Sequence, residues 1–193
     1  MRRFAMVVAL GCAGLAAPAL AADDEMTALV DEAKGLMGSF GGTLKDELMA
    51  AVKAGGPVNA IGVCNEVAPE IAASVSEGSG WNVGRSSHRL RNPDNAPDAF
   101  TAAAIAEFLE REAAGEKPDD LAKAAIVEED GKRVFHIVKA IPTGDLCVNC
   151  HGGDEVTAEV EAKLAQLYPD DEARGFSVGQ MRGVFTLSKV LDD

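Results

Sequence analysis

The sequence contains no apolar run long enough to cross a membrane, no excess of positive charge and no second Cys-x-x-Cys pair. Of its 193 residues, 31 are acidic and 18 are basic, which gives a formal net charge of −13. A surface this acidic argues against nucleic acid and anionic lipid as partners, because both are themselves negatively charged. Internal repeats and low-complexity linkers are also missing, so the length fits one domain with its own core.

The N-terminus has the pattern of an export signal. Arg2 and Arg3 precede a short apolar run, and Ala19-Leu20-Ala21 fits a small-x-small cleavage site. The run is too short and too rich in Ala and Gly for a transmembrane helix. We therefore expect a signal peptide at 1–21, a single periplasmic domain at 22–193 and no stable membrane insertion after cleavage.

The most informative stretch is Cys147-Val148-Asn149-Cys150-His151, which has the Cys-x-x-Cys-His pattern of covalent haem attachment. Two thiols separated by two residues can reach the two vinyl groups on one porphyrin edge and form thioethers. His151 is then carried under the ring, where its imidazole can bind iron as an axial ligand. A zinc site would need two further ligands at similar spacing, and the sequence has no second Cys-x-x-Cys pair. A thioredoxin-like pair would open the helix of an early βαβ unit, whereas this motif lies late in the chain. The pattern predicts one covalently bound haem c.

Cys64 is expected to be unpaired in the mature protein. Of the four cysteines, Cys12 is removed with the predicted signal peptide, and Cys147 and Cys150 are used for haem attachment. An unpaired cysteine in an oxidising compartment calls for an explanation. Cys64 shares a helical apolar stripe with Ile61 and Ala68, so we expect it to face a core. It fits an inert buried thiol, an intermolecular disulfide or a metal ligand.

The second axial ligand is left open by the pattern alone, with Cys64, Met181, His88 and His136 as candidates. An ordinary small cytochrome c carries its haem motif early and its ligand Met much later, unlike this chain. A four-helix cytochrome with an empty sixth site fits the late motif, but the strand-like segments after residue 80 count against it. The two histidines fall in predicted strands, where a histidine is more often an ordinary polar residue.

Apolar spacing predicts helices first and strands later. Helices are predicted at 23–54 and 57–76, with a kink or break at Gly41-Gly42, a stop and restart at Gly55-Gly56-Pro57, and a kink or helix break near Ala68, before Pro69. Strands are predicted at 81–90, 124–127, 133–140 and 183–190, and further helices at 97–112 and 156–167. The inner face of helix 97–112 is predicted to carry Ala102, Ile105, Ala106 and Leu109. This order indicates an α+β domain with an antiparallel sheet, in which Glu129-Asp130-Gly131-Lys132 forms a hairpin turn.

Four further stretches carry motifs that, taken together with the haem motif, are far more specific than Cys-x-x-Cys-His alone. They are Val63-Cys64-Asn65 with Ala68-Pro69, Val83-Gly84-Arg85-Ser86-Ser87, Arg91-Asn92-Pro93 with Asn95-Ala96-Pro97, and Met181-Arg182-Gly183. Together with the haem motif they resemble the PAS-like c-type haem domain, a family long catalogued as a domain of unknown function. Its members occur as free-standing periplasmic proteins and as the sensory part of membrane histidine kinases. The resemblance covers nearly all of 22–193.

The resemblance implies a PAS-like sheet flanked by helices, with Cys64 and His151 as the axial pair. Arg85 and Arg91 could pair haem propionates, since guanidinium matches carboxylate bidentately; capping of loops is the alternative for both. The chain departs from the usual family pattern at Ser86-Ser87-His88, which keeps His88 as another candidate for the sixth ligand.

These features lead us to expect a redox or diatomic-gas sensor, with an electron-transfer cytochrome c as the alternative. An enzyme such as a peroxidase is not expected, because no distal His-Arg arrangement is apparent. The acidic surface could steer a basic redox partner. The sequence contains no kinase or other output domain, so a sensor would need a separate signalling partner.

Overall fold

The structure is a computed structural model that describes the backbone of residues 17–191 and the side chains of 22–191. The side chains of the predicted signal peptide, 1–21, and Cys12 with them, lie outside the described residues. Among the described helices, none is both long and apolar enough to span a bilayer.

A long helix opens the fold. Helix α1 spans Ala17–Gly62, and its backbone is non-helical at Gly55 and Gly56. Gly56 has φ of 73°, a left-handed conformation that glycine adopts without strain, and Pro57 then restarts the helix with its fixed φ. The predicted stop and restart is therefore confirmed. The predicted break at Gly41-Gly42 is wrong, because both residues lie in continuous helix.

A π-helical turn at Val63–Val67 follows α1 and carries Cys64. Helix α2 then spans Ala68–Ser79 and ends at Gly80, which is left-handed with φ of 73°. Pro69 lies in the first turn of α2, where its missing N–H costs no helical hydrogen bond. The predicted kink before Pro69 is thus confirmed as the irregular segment between the two helices.

The second half of the chain forms one four-stranded antiparallel sheet in the order β1-β4-β3-β2. The strands are β1 (Asn82–Ser86), β2 (Ala122–Glu129), β3 (Lys132–Pro142) and β4 (Met181–Val190). Asp130 and Gly131 join β2 to β3 with positive φ at both positions, as a tight hairpin turn requires. The predicted antiparallel α+β fold, PAS-like with flanking helices, is confirmed.

Three shorter helices complete the fold: α3 (Ala99–Ala113), α4 (Val148–His151) and α5 (Ala158–Leu167). The side chain of Asp98 caps α3 by accepting a hydrogen bond from the N–H of Thr101, and Thr157 caps α5 in the same way. Two single 3₁₀ turns, at Pro93–Asn95 and Pro118–Asp120, lie in the loops around α3.

Two sequence predictions need correction in this half of the chain. The strand predicted at 81–90 ends at Ser86, because the Ser87 hydroxyl donates to the carbonyl of Arg182 and accepts from the N–H of Arg89, which bends the chain. The inner face of α3 is rotated from the predicted one. Its buried residues are Thr101, Ala104, Ile105 and Phe108.

The sheet separates two apolar cores. On one face Phe135, Ile137 and Leu187 pack against α1 and α2, and on the other Val138 and Val184 pack against α3. A third cluster joins the end of α1 to α5 and includes Ile61, Val156, Val160, Leu164 and Tyr168. The space between α1, the sheet and the loop before α4 is where the candidate site forms.

Candidate haem site

The haem-motif cysteines are placed by one short helical turn. Cys147 caps α4, and its carbonyl accepts hydrogen bonds from the N–H groups of Cys150 and His151. In such a turn, residues three apart lie on the same face. Both thiols line one large cavity, and neither is in a disulfide. Burial raises the pKa of the Cys150 thiol. The predicted pair of thiols along one edge is compatible with this geometry.

The large cavity has a volume of about 490 Å³, within the range of roughly 300–1,000 Å³ usual for cofactor sites. One wall is the α1 surface and the other is the end of β3, the loop before α4 and Phe185. Its lining is mostly apolar and includes Leu44, Leu48, Val52, Ala60, Ile61, Ile141, Pro142 and Leu146. A mostly apolar lining that includes two thiols is what a covalently bound porphyrin requires.

His151 has the environment of a metal-binding imidazole. Its Nδ1 lies 2.9 Å from the carbonyl oxygen of Ala173, and a carbonyl can only accept, so Nδ1 carries the proton. Burial, followed by the charges of Arg182 and Arg91, lowers the pKa of His151 well below its usual value. The neutral ring therefore leaves Nε2, the nitrogen that can bind a metal, unprotonated, and the Ala173 contact fixes the ring orientation.

Arg91 holds the loops around His151 together. Its Nε donates to Asp171 Oδ1 at 3.1 Å, and its Nη2 donates to the carbonyls of Cys150 at 2.6 Å and Ala173 at 3.1 Å. Nη1 lies 3.4 Å from Nε2 of His151. Most donors of this guanidinium are thus occupied by protein groups. Arg91 reaches the site, but its predicted propionate contact stays a prediction, and its visible contacts match the loop-capping alternative.

Cys64 lies on the same side of the sheet as the motif. It lines the large cavity and also a second cavity of about 80 Å³, and His151 lines both of them too. The π-helical turn carries an extra residue within its hydrogen-bonded ring, a feature that is frequent at functional sites. Cys64 and His151 therefore both line the two cavities, and their role as an axial pair stays a prediction.

Three other candidates for the sixth ligand lie elsewhere. Met181 is buried in the core on the α3 side of the sheet, and the His136 ring packs on Phe100 with centroids 4.8 Å apart. The His88 ring lies 5.6 Å from the ring of Phe176, which in turn lies 6.3 Å from His151. None of the three lines either cavity. The structure thus argues against Met181, His136 and His88 as ligands in this conformation.

Arg85 faces both cavities from β1, and Arg182 joins it from the start of β4. Burial and then the charge of Arg182 lower the pKa of Arg85 to about 10. Arg182 and Asp171 were not identified as site residues from the sequence. Arg182 was visible only as part of the Met181-Arg182-Gly183 motif, and Asp171 had no sequence signal. Among the described residues, no three His, Cys, Asp or Glu side chains gather as a metal site would need.

The fold and the site define an α+β domain of the PAS-like type, with a cofactor-sized cavity between its helical layer and its sheet. The sequence matches the Tll0287-like family over residues 16–189, and the chain belongs to that family. The resemblance expected from the motifs is thereby confirmed.

A solved structure, described as the crystal structure of the cyanobacterial heme-protein Tll0287, has the same fold. It superposes with a TM-score of 0.59 at 22% sequence identity, over 84% of this chain and 97% of that chain. No curated protein matches the sequence.

Proposed function

We propose that this protein binds one haem c covalently, through thioethers to Cys147 and Cys150, with His151 as an axial ligand. The observation that carries the proposal is the single turn of α4, which sets both thiols and the imidazole at the wall of one cofactor-sized cavity. Membership of a family that includes a haem protein adds support.

The described residues fit this group in three independent ways. The cavity walls are mostly apolar, as a porphyrin face needs, and the His151 Nε2 lone pair is kept free of a proton by the Nδ1 contact. The Nε of Arg182 is buried without a hydrogen-bond partner, so the cavity contains unsatisfied positive charge. When bound, haem would supply a one-electron redox centre.

We propose that Cys64 would hold the haem iron together with His151. A thiolate would donate charge to the iron and lower the reduction potential compared with a His/Met pair. Its position in the π-helical turn supports this role, since such turns persist where function repays their poorer packing. An inert buried thiol would have no need to face a cavity that His151 also faces.

The function that we favour is that of a redox or diatomic-gas sensor. Cys64 lies between the non-helical pair Gly55-Gly56 and the first turn of α2, so it is attached to an irregular segment of the helical layer. A change in the bonding of Cys64 could shift this segment, and a separate signalling partner could detect the shift. We do not assign an enzymatic activity.

Electron transfer is the second candidate, and the charge of the chain favours it. A net charge of −13 would steer a basic redox partner by long-range attraction. A carrier would keep the same ligands in both oxidation states, whereas a sensor would change them. We further propose that the domain, 22–193, is periplasmic, because covalent haem attachment and the predicted signal both fit export.

The purified protein, produced with the c-type maturation machinery, tests the proposal. Its haem should stay with the polypeptide in acidified acetone, and its alkaline pyridine spectrum should be that of a haem with both vinyl groups saturated. Ferric protein should give the low-spin EPR signature of a thiolate ligand. Extraction of the haem from the wild-type protein would contradict covalent attachment.

A further inference from the structure

We infer that Arg85 and Arg182 form a carboxylate-binding site at the junction of the two cavities, and that its ligands are the propionates of the haem. This inference rests on the proposed function for the presence of haem. Both arginines line the large cavity and the small one, whereas Cys147 and Cys150 line only the large one. The site thus offers thiols to one edge of the ring and guanidinium groups to another.

A β-bulge brings Arg182 to this position. Ile141 of β3 pairs with Gly183 of β4, and the next residue, Pro142, pairs with Met181. Arg182 is therefore an extra residue in β4 with no partner in β3. Such a bulge locally re-aims side chains, and here Arg182 faces the cavities while its neighbour Met181 is buried towards α3.

Arg85 and Arg182 lack the partners that the neighbouring arginines have. Arg91 pairs with Asp171, and Arg89 donates to the carbonyl of Arg174 at 2.8 Å. Within residues 22–191, neither Arg85 nor Arg182 forms an ion pair, and the side chain of neither makes a hydrogen bond. Their charges are also close enough for Arg182 to lower the pKa of Arg85. Two half-buried cations without a counter-ion are unfavourable unless an anion joins them.

The small cavity has room for an acidic group. Its volume of about 80 Å³ is several times the roughly 10–15 Å³ that one water needs, so it can hold a carboxylate with bridging waters. Asn92, Asn95 and Tyr168 add polar groups to its wall. The planar guanidinium fork matches a carboxylate with two parallel hydrogen bonds. A haem fits both cavities at once: its apolar ring would occupy the large cavity, and the carboxylate of a propionate arm would reach the small one.

The test compares holoproteins in which one arginine is neutralised. The variants are Arg85→Gln and Arg182→Gln, and Arg133→Gln is the matched control because Arg133 is paired with Glu25 and lines neither cavity. Resonance Raman spectra report the propionate bending mode, which shifts when a propionate loses hydrogen-bond donors. Midpoint potentials are measured at a single neutral pH and constant ionic strength.

Both site variants should shift the bending mode and move the midpoint potential to more negative values than Arg133→Gln does, because a lost positive charge near the iron favours the ferric state. Arg182→Lys should restore much of the potential but not the wild-type bending mode, since an ammonium lacks the bidentate fork. Site variants with the same bending mode as Arg133→Gln would overturn the inference, whatever their potentials.

A phosphate titration of the wild-type holoprotein distinguishes two possible ligands of the arginine site, the haem propionates and free anions. With the propionates in place the potential and the bending mode should not respond to phosphate. A response that saturates and disappears in Arg182→Gln would assign the site to soluble anions and overturn the inference. If acidified acetone extracts the wild-type haem, the proposal of covalent attachment is wrong. The Raman comparison still tests the arginine site in that case, because a non-covalent haem carries the same propionates.

Discussion

The imidazole Nδ1 of His151 donates a hydrogen bond of 2.9 Å to the carbonyl oxygen of Ala173. The same short segment is fixed by Asp171, whose Oδ1 accepts from the N–H of Ala173 at 2.9 Å. Phe176 closes the arrangement by donating its backbone N–H to the carbonyl of His151. The orientation of His151 is thus determined by a segment more than twenty residues later in the chain.

Asp171→Asn should destabilise the protein and disturb the ligand His151. The side chains of Arg91 and Asp171 are only 10% and 8% exposed, so the substitution leaves a buried guanidinium without its counter-charge. Breaking a buried pair in this way costs about 3–5 kcal/mol. Urea unfolding of the holoprotein measures the loss, and the width of the low-spin EPR signal reports disorder at the ligand. The control is Asp170→Asn, which alters an exposed neighbour; equal stability of the two variants would contradict the role of the pair.

Cys147→Ala combined with Cys150→Ala should abolish covalent retention of haem, because no thioether can form. Each single variant should leave one thioether and shift the alkaline pyridine spectrum part of the way. Acidified-acetone extraction followed by haem staining of a denaturing gel is the measurement. Cys64→Ala is the matched control, since it also removes a thiol that faces the cavity; retention of haem by the double variant would refute the attachment sites.

Cys64→Ala should remove the thiolate signature from the ferric EPR spectrum while haem remains attached. The iron should become high-spin or accept water, because His88, His136 and Met181 face neither cavity. If Cys64 only packs, the loss of stability should be small, because Cys→Ala removes little volume. If the spectrum matches that of the wild type, Cys64 is a packing residue and not a ligand.

Carbon monoxide should bind the reduced wild-type protein if the chain is a sensor. A thiolate is a good partner for ferric iron, and reduction weakens the attraction between them, so Cys64 should release the sixth position. Optical titration with carbon monoxide after dithionite reduction measures this. Cys64→Ala provides the comparison, since its reduced form should bind the gas without a displacement step. A wild-type protein that stays low-spin and ignores the gas would favour electron transfer.

Gly183→Ala should destabilise the sheet beside the bulge. A Cβ at Gly183 would lie 2.5 Å from the carbonyl oxygen of Ser86, a backbone atom that cannot move without separating β1 from β4. Overpacking of this kind costs about 1–3 kcal/mol. Gly84→Ala in β1 is the control, because its Cβ would meet nothing closer than 3.9 Å. The urea concentration at the unfolding midpoint should be clearly lower for Gly183→Ala than for Gly84→Ala. The reverse order would show that the close contact does not explain the glycine at position 183.

Local chemistry made much of the fold predictable from the sequence. The turn at Asp130-Gly131, the restart at Pro57 and the cap at Asp98 all depend on residues within a few positions of each other. The same holds for the haem motif, whose spacing places both thiols on one helical turn. A prediction failed where tertiary packing overrode the local helix propensity of the residues. The Gly41-Gly42 pair stays helical because α1 packs along the sheet there, and a Cβ at Gly41 would lie only 3.0 Å from the Phe185 ring.

The haem motif, the helix boundaries that glycine and proline set, and the antiparallel α+β class follow from local sequence. The choice of side chains that surround the cavity depends on long-range packing. Arg91 is held by Asp171, eighty residues away, and Arg182 reaches the cavity through a bulge that depends on the pairing of β3 with β4. Met181 and His136 are directed to the opposite face of the sheet. These outcomes depend on strand register and long-range packing, which no periodicity within one segment encodes.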